Sequence, residues 1–389
     1  MVGAGITGIT AAYYLARDGH DVSVYEQEPY PAMRTSYANG GQLSVSNSET
    51  WNTWSNIAKG LKWMFRPDAS LLINPDFDLD KYLWLARFLY HTVDGTQRRN
   101  TEDTIQLGLR ARRLYKDIIR KEGIEFDQSF CGILHFYKDR KYLDSAISAK
   151  GIYEFNGCEW DIVDQARILD IEPSLIYSTG IMGGAWTPSD WTGDIHRFCR
   201  DLSAVLSSKY HVEFNFNTFV ADLGELQIYY DAVIVSNGVG SVRLARTVGD
   251  QLPIYPVKGY SITIDLDPHS ARHAPTVSLL DDQAKIVTAR LGDRLRVAGT
   301  AELAGENYDI RRSRIEPLLA WVHDNFPRIN TSQYQSWACL RPMTPNMMPI
   351  VRQSSREPKI FYNTGHGHLG WTTGAATGHD IAELVKTHK

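Results

Sequence analysis

The sequence predicts a mixed fold: a discontinuous α/β domain with an antiparallel-sheet α+β unit threaded through it. Three observations predict it. A glycine-rich turn, Gly3-Ala4-Gly5-Ile6-Thr7-Gly8, opens a helix that runs on through Ile9 to Arg17. Continuous apolar strands of the buried parallel kind return much later, at Tyr230–Gly238 and Ile360–Gly365. Between these lie segments patterned for an antiparallel sheet: Gly132–Phe136, Ile181–Trp186, Tyr255–Ile264, Ile286–Arg290 and Leu295–Gly299. The chain of 389 residues then divides as 1–50, 190–250 and 340–389 for the first domain, with 51–189 and 251–339 for the inserted unit.

The opening turn is a G-x-G-x-x-G loop of the Rossmann-like kind. Gly3 permits a tight turn off a strand, Gly5 lets backbone approach a pyrophosphate, and Gly8 lets the helix pack on the sheet. The helix start offers free N–H groups and the positive end of its dipole. Gly19 stops the helix, His20–Tyr25 alternates as a strand, and Glu26 follows 18 residues beyond Gly8, where a carboxylate grips a ribose diol. The strand before the loop has only Met1 and Val2, against the usual five or six or so. The expectation is that the numbered chain begins inside that strand, or that another segment fills the gap.

Next comes a small, polar, glycine-rich loop, Pro29–Asn47, suited to close backbone contact with a ligand. Trp51–Phe65 and Tyr82–His91 carry bulky aromatics at helical spacing. In the first, Trp54, Ile57, Leu61 and Met64 share a face that leaves out Lys59 and Lys62. Both segments read as core helices, or as an apolar surface that touches a membrane or redox partner. Thr101–Lys121 reads as an amphipathic helix with Ile105, Leu109 and Leu114 inward. Thr192-Gly193-Asp194 caps a helix over Ile195–Leu206. His211–Phe216 alternates as a strand. Ile315–Phe326 and Gly374–Val385 complete the helices.

A net charge of −4 argues against a nucleic-acid partner. Cys131, Cys158, Cys199 and Cys339 lie far apart, without a C-x-x-C pair, so no zinc site or redox dithiol is expected and they read as reduced core residues. With the loop at the N-terminus and no run of about 20 apolar residues, neither a signal peptide nor a membrane span is expected, and the location expected is cytoplasmic or peripheral at the inner membrane.

A second cluster, Gly365-His366-Gly367-His368-Leu369-Gly370-Trp371-Thr372, ends a strand and starts the closing helix. It is another helix start able to cradle an anion or carbonyl. One such loop suffices for NAD. Two, at opposite ends of the chain, fit a longer cofactor such as FAD: the first at the pyrophosphate, the last aimed at the ring where negative charge develops on reduction.

These two loops, with Thr35–Ser44, Tyr255-Pro256-Val257-Lys258-Gly259-Tyr260-Ser261 and Leu340-Arg341-Pro342-Met343-Thr344-Pro345, resemble the bacterial D-amino acid dehydrogenases. Those enzymes belong to the FAD-dependent amine oxidoreductases, with D-amino acid oxidase, glycine oxidase and sarcosine oxidase. The likeness runs in order through nearly the whole chain. It implies a two-domain flavoprotein that oxidises a D-amino acid to an imino acid. Water would convert that product to a 2-oxo acid and ammonia, while the electrons pass to a quinone or another acceptor. Alternatives within the resemblance are a relative acting on glycine, sarcosine or hydroxyproline with oxygen as acceptor, and a degenerate flavoprotein without turnover.

By position, the resemblance assigns Gly3, Gly5, Gly8 and Glu26 to the ADP half of FAD, and Val220 to the adenine through its backbone. Ala38, Asn39, Gly41 and Gln42 would line the flavin. Gly238, Gly365, Gly367, Leu369, Gly370, Trp371 and Thr372 would complete the cofactor site, held without a covalent link. Arg341 would clamp the substrate carboxylate, for which a guanidinium fork is the best geometric match; the alternative is a structural arginine paired with a core carboxylate. Tyr260, and beside it Lys258 and His366, would face substrate or flavin, or be packed as ordinary structural side chains. No catalytic acid or base and no metal is expected. The chain departs from the family in its short first strand, in a short Thr218–Tyr230 segment where a hairpin is usual, and in ending at Lys389 before the usual tail.

Overall fold

The computed structural model describes residues 1–63, 71–74 and 77–387, the side chains of 59–63 excepted. The α/β layer is assembled from distant pieces. Ser23–Tyr25 pairs in parallel with Glu213–Asn215, and Val233–Val235 with Ile360–Tyr362, while Ile350–Gln353 closes the far edge antiparallel. Met1 and Val2 lie between the two halves. The Met1 carbonyl accepts from Tyr25 at 2.9 Å and Gly3 donates to Tyr25 at 2.8 Å; on the other side Val2 donates to Ile234 and accepts from Ser236, both at 2.8 Å. The two residues are the missing strand, and no other described segment fills the gap.

The helices Ile6–Arg17 and Gly370–Lys386 pack together so closely that a Cβ on Gly378 would lie 2.8 Å from the Ala11 nitrogen. Thr10 Oγ1 donates to the Gly374 carbonyl at 2.9 Å across this contact.

The second unit is a nine-stranded sheet. Its order is Gln335–Met343, Tyr255–Asp265, Arg294–Leu303, Ile286–Leu291, Ser278–Asp281, Ile133–Tyr137, Gly183–Thr187 and Asp161–Val163, with Leu71–Ile73 added beside Arg294–Leu303. Most pairings are antiparallel; Ser278–Asp281 with Ile133–Phe136, and Leu71–Ile73 with Ala301–Leu303, are parallel. Helix Arg312–Asn325 covers one face, where Ile315, Leu318 and Trp321 pack on Tyr260, Ile262 and Leu295. The opposite face looks into a cleft against the α/β layer.

Several expectations change. The boundary drawn at 340 falls inside the strand Gln335–Met343, which belongs whole to the large sheet. The helix expected over Thr101–Lys121 spans Gln97–Glu122, and its buried stripe is Thr101, Thr104, Ile105, Gly108, Ala111, Tyr115 and Ile118; Leu109 and Leu114 are half-buried beside it. Cys131 is exposed, not core. Among the described residues the aromatic helices are not core. Trp54 is exposed, and in Leu79–Val93 only Lys81 and Trp84 are buried, leaving Leu79, Tyr82, Leu83, Leu89, Tyr90 and Val93 in solvent. The helix is held by one edge, with Trp84 Nε1 donating to the Met343 carbonyl and Lys81 Nζ to Asn74. Of the apolar face expected in the first of these helices, the Leu61 side chain and Met64 lie outside what the structure describes.

Candidate active site

The glycine turn is dictated by contact. Gly3 has φ +98°, and a Cβ there would lie 2.6 Å from the Ser236 carbonyl oxygen; one on Gly8 would lie 2.0 Å from that of Gly3. Gly8 is therefore a packing position, and Gly3 and Gly5 face a cavity of about 390 Å³. Glu26 lines the same cavity, its carboxylate accepting from Ala4 N at 2.7 Å and Glu28 N at 3.0 Å. Burial raises the Glu26 proton affinity, and these two N–H groups oppose the rise. Gly238, Gly365, Gly367 and Gly370 complete the wall. Val220 does not reach it: Val220 packs half-buried against the Leu223 cluster, and its neighbour Phe219 lines the cavity instead.

A second cavity of about 290 Å³ adjoins the first. Ala38, Asn39, Gly41, Gln42, Leu369 and Thr372 line it. Thr35, Asn39, Cys339, Arg341, His368 and Trp371 belong to both walls, so the two cavities form one elongated cleft. The loop 35–44 is stitched to the large sheet. Thr35 Oγ1 donates to the Leu340 carbonyl at 2.8 Å, Ser261 Oγ to Ala38 at 2.7 Å, and Gln42 Nε2 to Ser278 Oγ at 2.7 Å. Trp371 is anchored in an aromatic cluster with Tyr115, Phe198 and Trp191.

Arg341 reaches the cleft because strand residues alternate faces. Its guanidinium covers Gly259 on the neighbouring strand, where a Cβ would come within 2.4 Å of it. Its Nη1 donates to the Thr300 carbonyl at 2.9 Å, and Thr300 is held at φ +59°. Among the described residues Arg341 has no ion pair. Burial, opposed by Cys339, lowers its pKa from the ordinary value to about 10, so it remains a cation at neutral pH. The Gly365–Gly367 loop is tied to the same strand, with Gly367 N donating to Pro342 at 2.9 Å.

Tyr260 borders the smaller cavity, but its hydroxyl is engaged away from it. One residue beyond Gly259, its ring turns to the helix-covered face, and its hydroxyl donates to buried Glu302 at 2.7 Å. Glu302 also pairs with Arg311 at 2.7 Å. Lys258 points the same way, to Asn307 at 2.7 Å and the Asp309 carbonyl at 2.8 Å. His366 lines the larger cavity and shares a 2.8 Å hydrogen bond with Thr377. Arg290 lies outside the cleft, its guanidinium donating to the carbonyls of Gly292 and Ala271. The sequence reading missed Gly259 and Thr300 as cleft residues, and gave His368 no role of its own within the Gly365–Thr372 loop. Gly259 had a signal, a glycine inside a strand, which marks close approach of another group. Thr300 had none.

The donor set fits a dinucleotide. Neither the Ile6 nor the Gly370 helix start is capped by its own N-cap residue, although Ile6 N donates to Ser36 Oγ at 3.2 Å; both border one elongated cleft, and Glu26 supplies the carboxylate. The arrangement is that of a dinucleotide-dependent enzyme with a cationic substrate chamber. A family model, FAD dependent oxidoreductase, matches residues 1–384. The chain is 45% identical to D-amino acid dehydrogenase 3 of Mesorhizobium japonicum, covering 100% of this chain and 96% of that protein. It is 36% identical to a D-amino acid dehydrogenase of Dechloromonas aromatica, over 99% and 96%. In solved structures, glycine oxidase from Geobacillus kaustophilus superposes with a TM-score of 0.77 at 17% identity, over 99% of this chain and 93% of that one. The chain belongs to the FAD-dependent oxidoreductase family, and FAD is its cofactor. No described helix is long and apolar enough to cross a membrane, and no described cluster of side chains suits a metal.

Proposed function

We propose that the chain oxidises D-amino acids to imino acids, which water hydrolyses to 2-oxo acids and ammonia. The observation that carries this reading is Arg341: a half-buried guanidinium in the wall of the cofactor cleft with no acidic partner among the described residues. A cation partly withdrawn from water without a counter-ion is stabilised when a ligand supplies one. An α-carboxylate does so, meeting the donors that the Thr300 carbonyl leaves free. The residues Gly3, Gly5, Glu26, Gly238, Gly365, Gly367, Leu369, Gly370, Trp371 and Thr372 would hold FAD, with Ala38, Asn39, Gly41 and Gln42 along its ring. Bound there, FAD supplies the two-electron acceptor for the hydride that leaves Cα. Arg341 orients that carbon, and the apolar walls Trp51, Leu71, Phe88 and Ala298 exclude water. The division into a discontinuous cofactor domain and an inserted substrate domain is part of the same proposal.

Electrons would leave to a quinone or dye rather than oxygen, at a site peripheral to a membrane. The support is the apolar face of Leu79–Val93 with Trp54, and the names of the two dehydrogenase relatives. The test is anaerobic addition of D- and L-amino acids to the yellow holoenzyme. D-isomers are expected to bleach the flavin; bleaching by L-isomers alone would overturn the reading. Dye reduction should outpace peroxide formation with the same substrate.

A further inference from the structure

Three side chains in the wall of the substrate chamber have polar atoms without a partner: Thr300 Oγ1, Trp371 Nε1, which can only donate, and both ring nitrogens of His368. His368 stands where the two cavities meet, in the wall of each. Its ring is stacked on Trp51, with centroids 4.8 Å apart and planes 24° from parallel. Such a stack fixes the ring plane and leaves the in-plane nitrogens free to work. Burial first, then the nearby Arg341 and Lys285 cations, lower the His368 pKa to about 3, with only the Asn47 backbone pulling the other way. The ring is therefore neutral, with one N–H and one bare nitrogen.

Several other acceptors in the chamber wall are already engaged. Asn39 Oδ1 takes the Gly41 N–H, Asp282 is taken by His135 and Lys285, and the Thr300 carbonyl is taken by Arg341. An amino acid clamped through its carboxylate still presents an amino group on the same carbon. Oxidation at Cα needs that group as a neutral amine, and neighbouring cations favour the neutral form. Its N–H bonds then require an acceptor in a site emptied of water.

We propose that His368 is a substrate-binding residue whose bare ring nitrogen accepts a hydrogen bond from the amino group of the D-amino acid clamped by Arg341, with Trp51 holding the ring in place. The contact sets the rotation of Cα about the carboxylate axis, which decides whether the hydrogen or the side chain faces the flavin. Its proton affinity is too low for it to strip an ammonium, so its role is orientation, not proton removal. The inference rests on D-amino acids being the substrates.

The test uses holoenzymes of His368→Phe, which keeps a stacked ring and removes both nitrogens, His368→Ala, and His368→Asn, which keeps an acceptor. Two quantities are read: kcat/KM for the best D-amino acid, and the affinity for benzoate, a carboxylate with no amine, from the shift of the flavin spectrum. The Phe and Ala variants are expected to lose about ten- to a hundredfold in kcat/KM. Benzoate affinity should hold in both, and Asn should recover part of the loss. Wild-type turnover in the Phe and Ala variants overturns the proposal. So does a parallel loss of benzoate affinity, which would mean a carboxylate contact or a packing role. Failure of both variants to retain flavin overturns it too, since His368 would then serve the cofactor. If D-amino acids leave the wild-type flavin oxidised, it is the substrate reading that fails.

Discussion

At the residue scale the functional reading turns on Arg341. Arg341→Ala would leave a substrate carboxylate buried without its partner, at a cost of roughly 2–5 kcal/mol. At ~1.4 kcal/mol per decade, kcat/KM for D-amino acids should fall about thirty-fold to several thousand-fold. Arg341→Lys should recover only part, because an ammonium lacks two parallel donors. FAD occupancy should survive, and an amine without a carboxylate should lose much less; near-normal kcat/KM in Arg341→Ala would place the clamp elsewhere. Gly259→Ala supplies an independent check. A methyl there would press on the guanidinium at 2.4 Å, so KM for amino acids should rise while the flavin stays bound. Unchanged KM would mean that Arg341 has another resting place. Glu26 gives a pH prediction. Its proton affinity is raised by burial, and ribose hydroxyls need the ionised carboxylate as acceptor. FAD affinity should therefore weaken as pH falls through that raised value, and Glu26→Gln should flatten the dependence in a fluorescence titration. The sign for the chain alone is opposite. A carboxyl whose folded pKa is raised contributes stability at low pH, which is lost as pH rises through it.

These residues differ in how far they could be read in advance. The glycines of both loops and Glu26 announce themselves by type and spacing, while Arg341 was singled out by the family resemblance, with the fit of a guanidinium fork to a carboxylate in support. Tyr260 was placed at the chamber but its partner Glu302 was not legible, because the register that decides where each strand residue turns is set by a partner strand some 80 residues later. His368 could be placed in the loop but not given work, because its lack of a partner is a three-dimensional fact.

At the scale of elements, strongly patterned strands were legible and two helices were not. Tyr255–Ile264 and Ile360–Gly365 match the strands found to within a residue. Arg140–Phe155, with a weak apolar stripe, and Leu223–Tyr229, a seven-residue helix, went unread. Leu79–Val93 was legible as a helix but not as a surface. Periodicity shows an apolar stripe without showing what covers it. If that face docks at a bilayer, Leu83→Ser with Tyr90→Ser should release the protein from lipid vesicles in a flotation assay, while soluble-dye activity persists. Vesicle binding that the double variant leaves intact would assign the face another role.

For the whole molecule, both units contribute walls to one cleft, so a ligand lying along it joins them. FAD binds the folded chain and not the unfolded one, and should stabilise it by about 2.7 kcal/mol at a hundredfold excess over Kd. The melting temperature of stripped protein should climb steadily with added FAD; a flat response would mean that the cleft does not hold it. The two-residue strand Met1–Val2 has a further consequence. Backbone hydrogen bonds at Gly3, Tyr25, Val2 and Ser236 join the Ser23–Tyr25 side of the layer to the Val233–Val235 side, beside the 2.8 Å hydroxyl contact of Tyr25 with Tyr230. Such a seam is a place for sub-global opening, in which two rigid halves part without either melting. Deuterium should then enter the amides of Gly3, Tyr25 and Ser236 well before those of Tyr255–Asp265. Because Gly3 and Glu26 line the cleft from one side of the seam and Gly238 and Gly365 from the other, the bound dinucleotide works as a rivet. It should slow exchange at those amides far more than anywhere in the nine-stranded sheet.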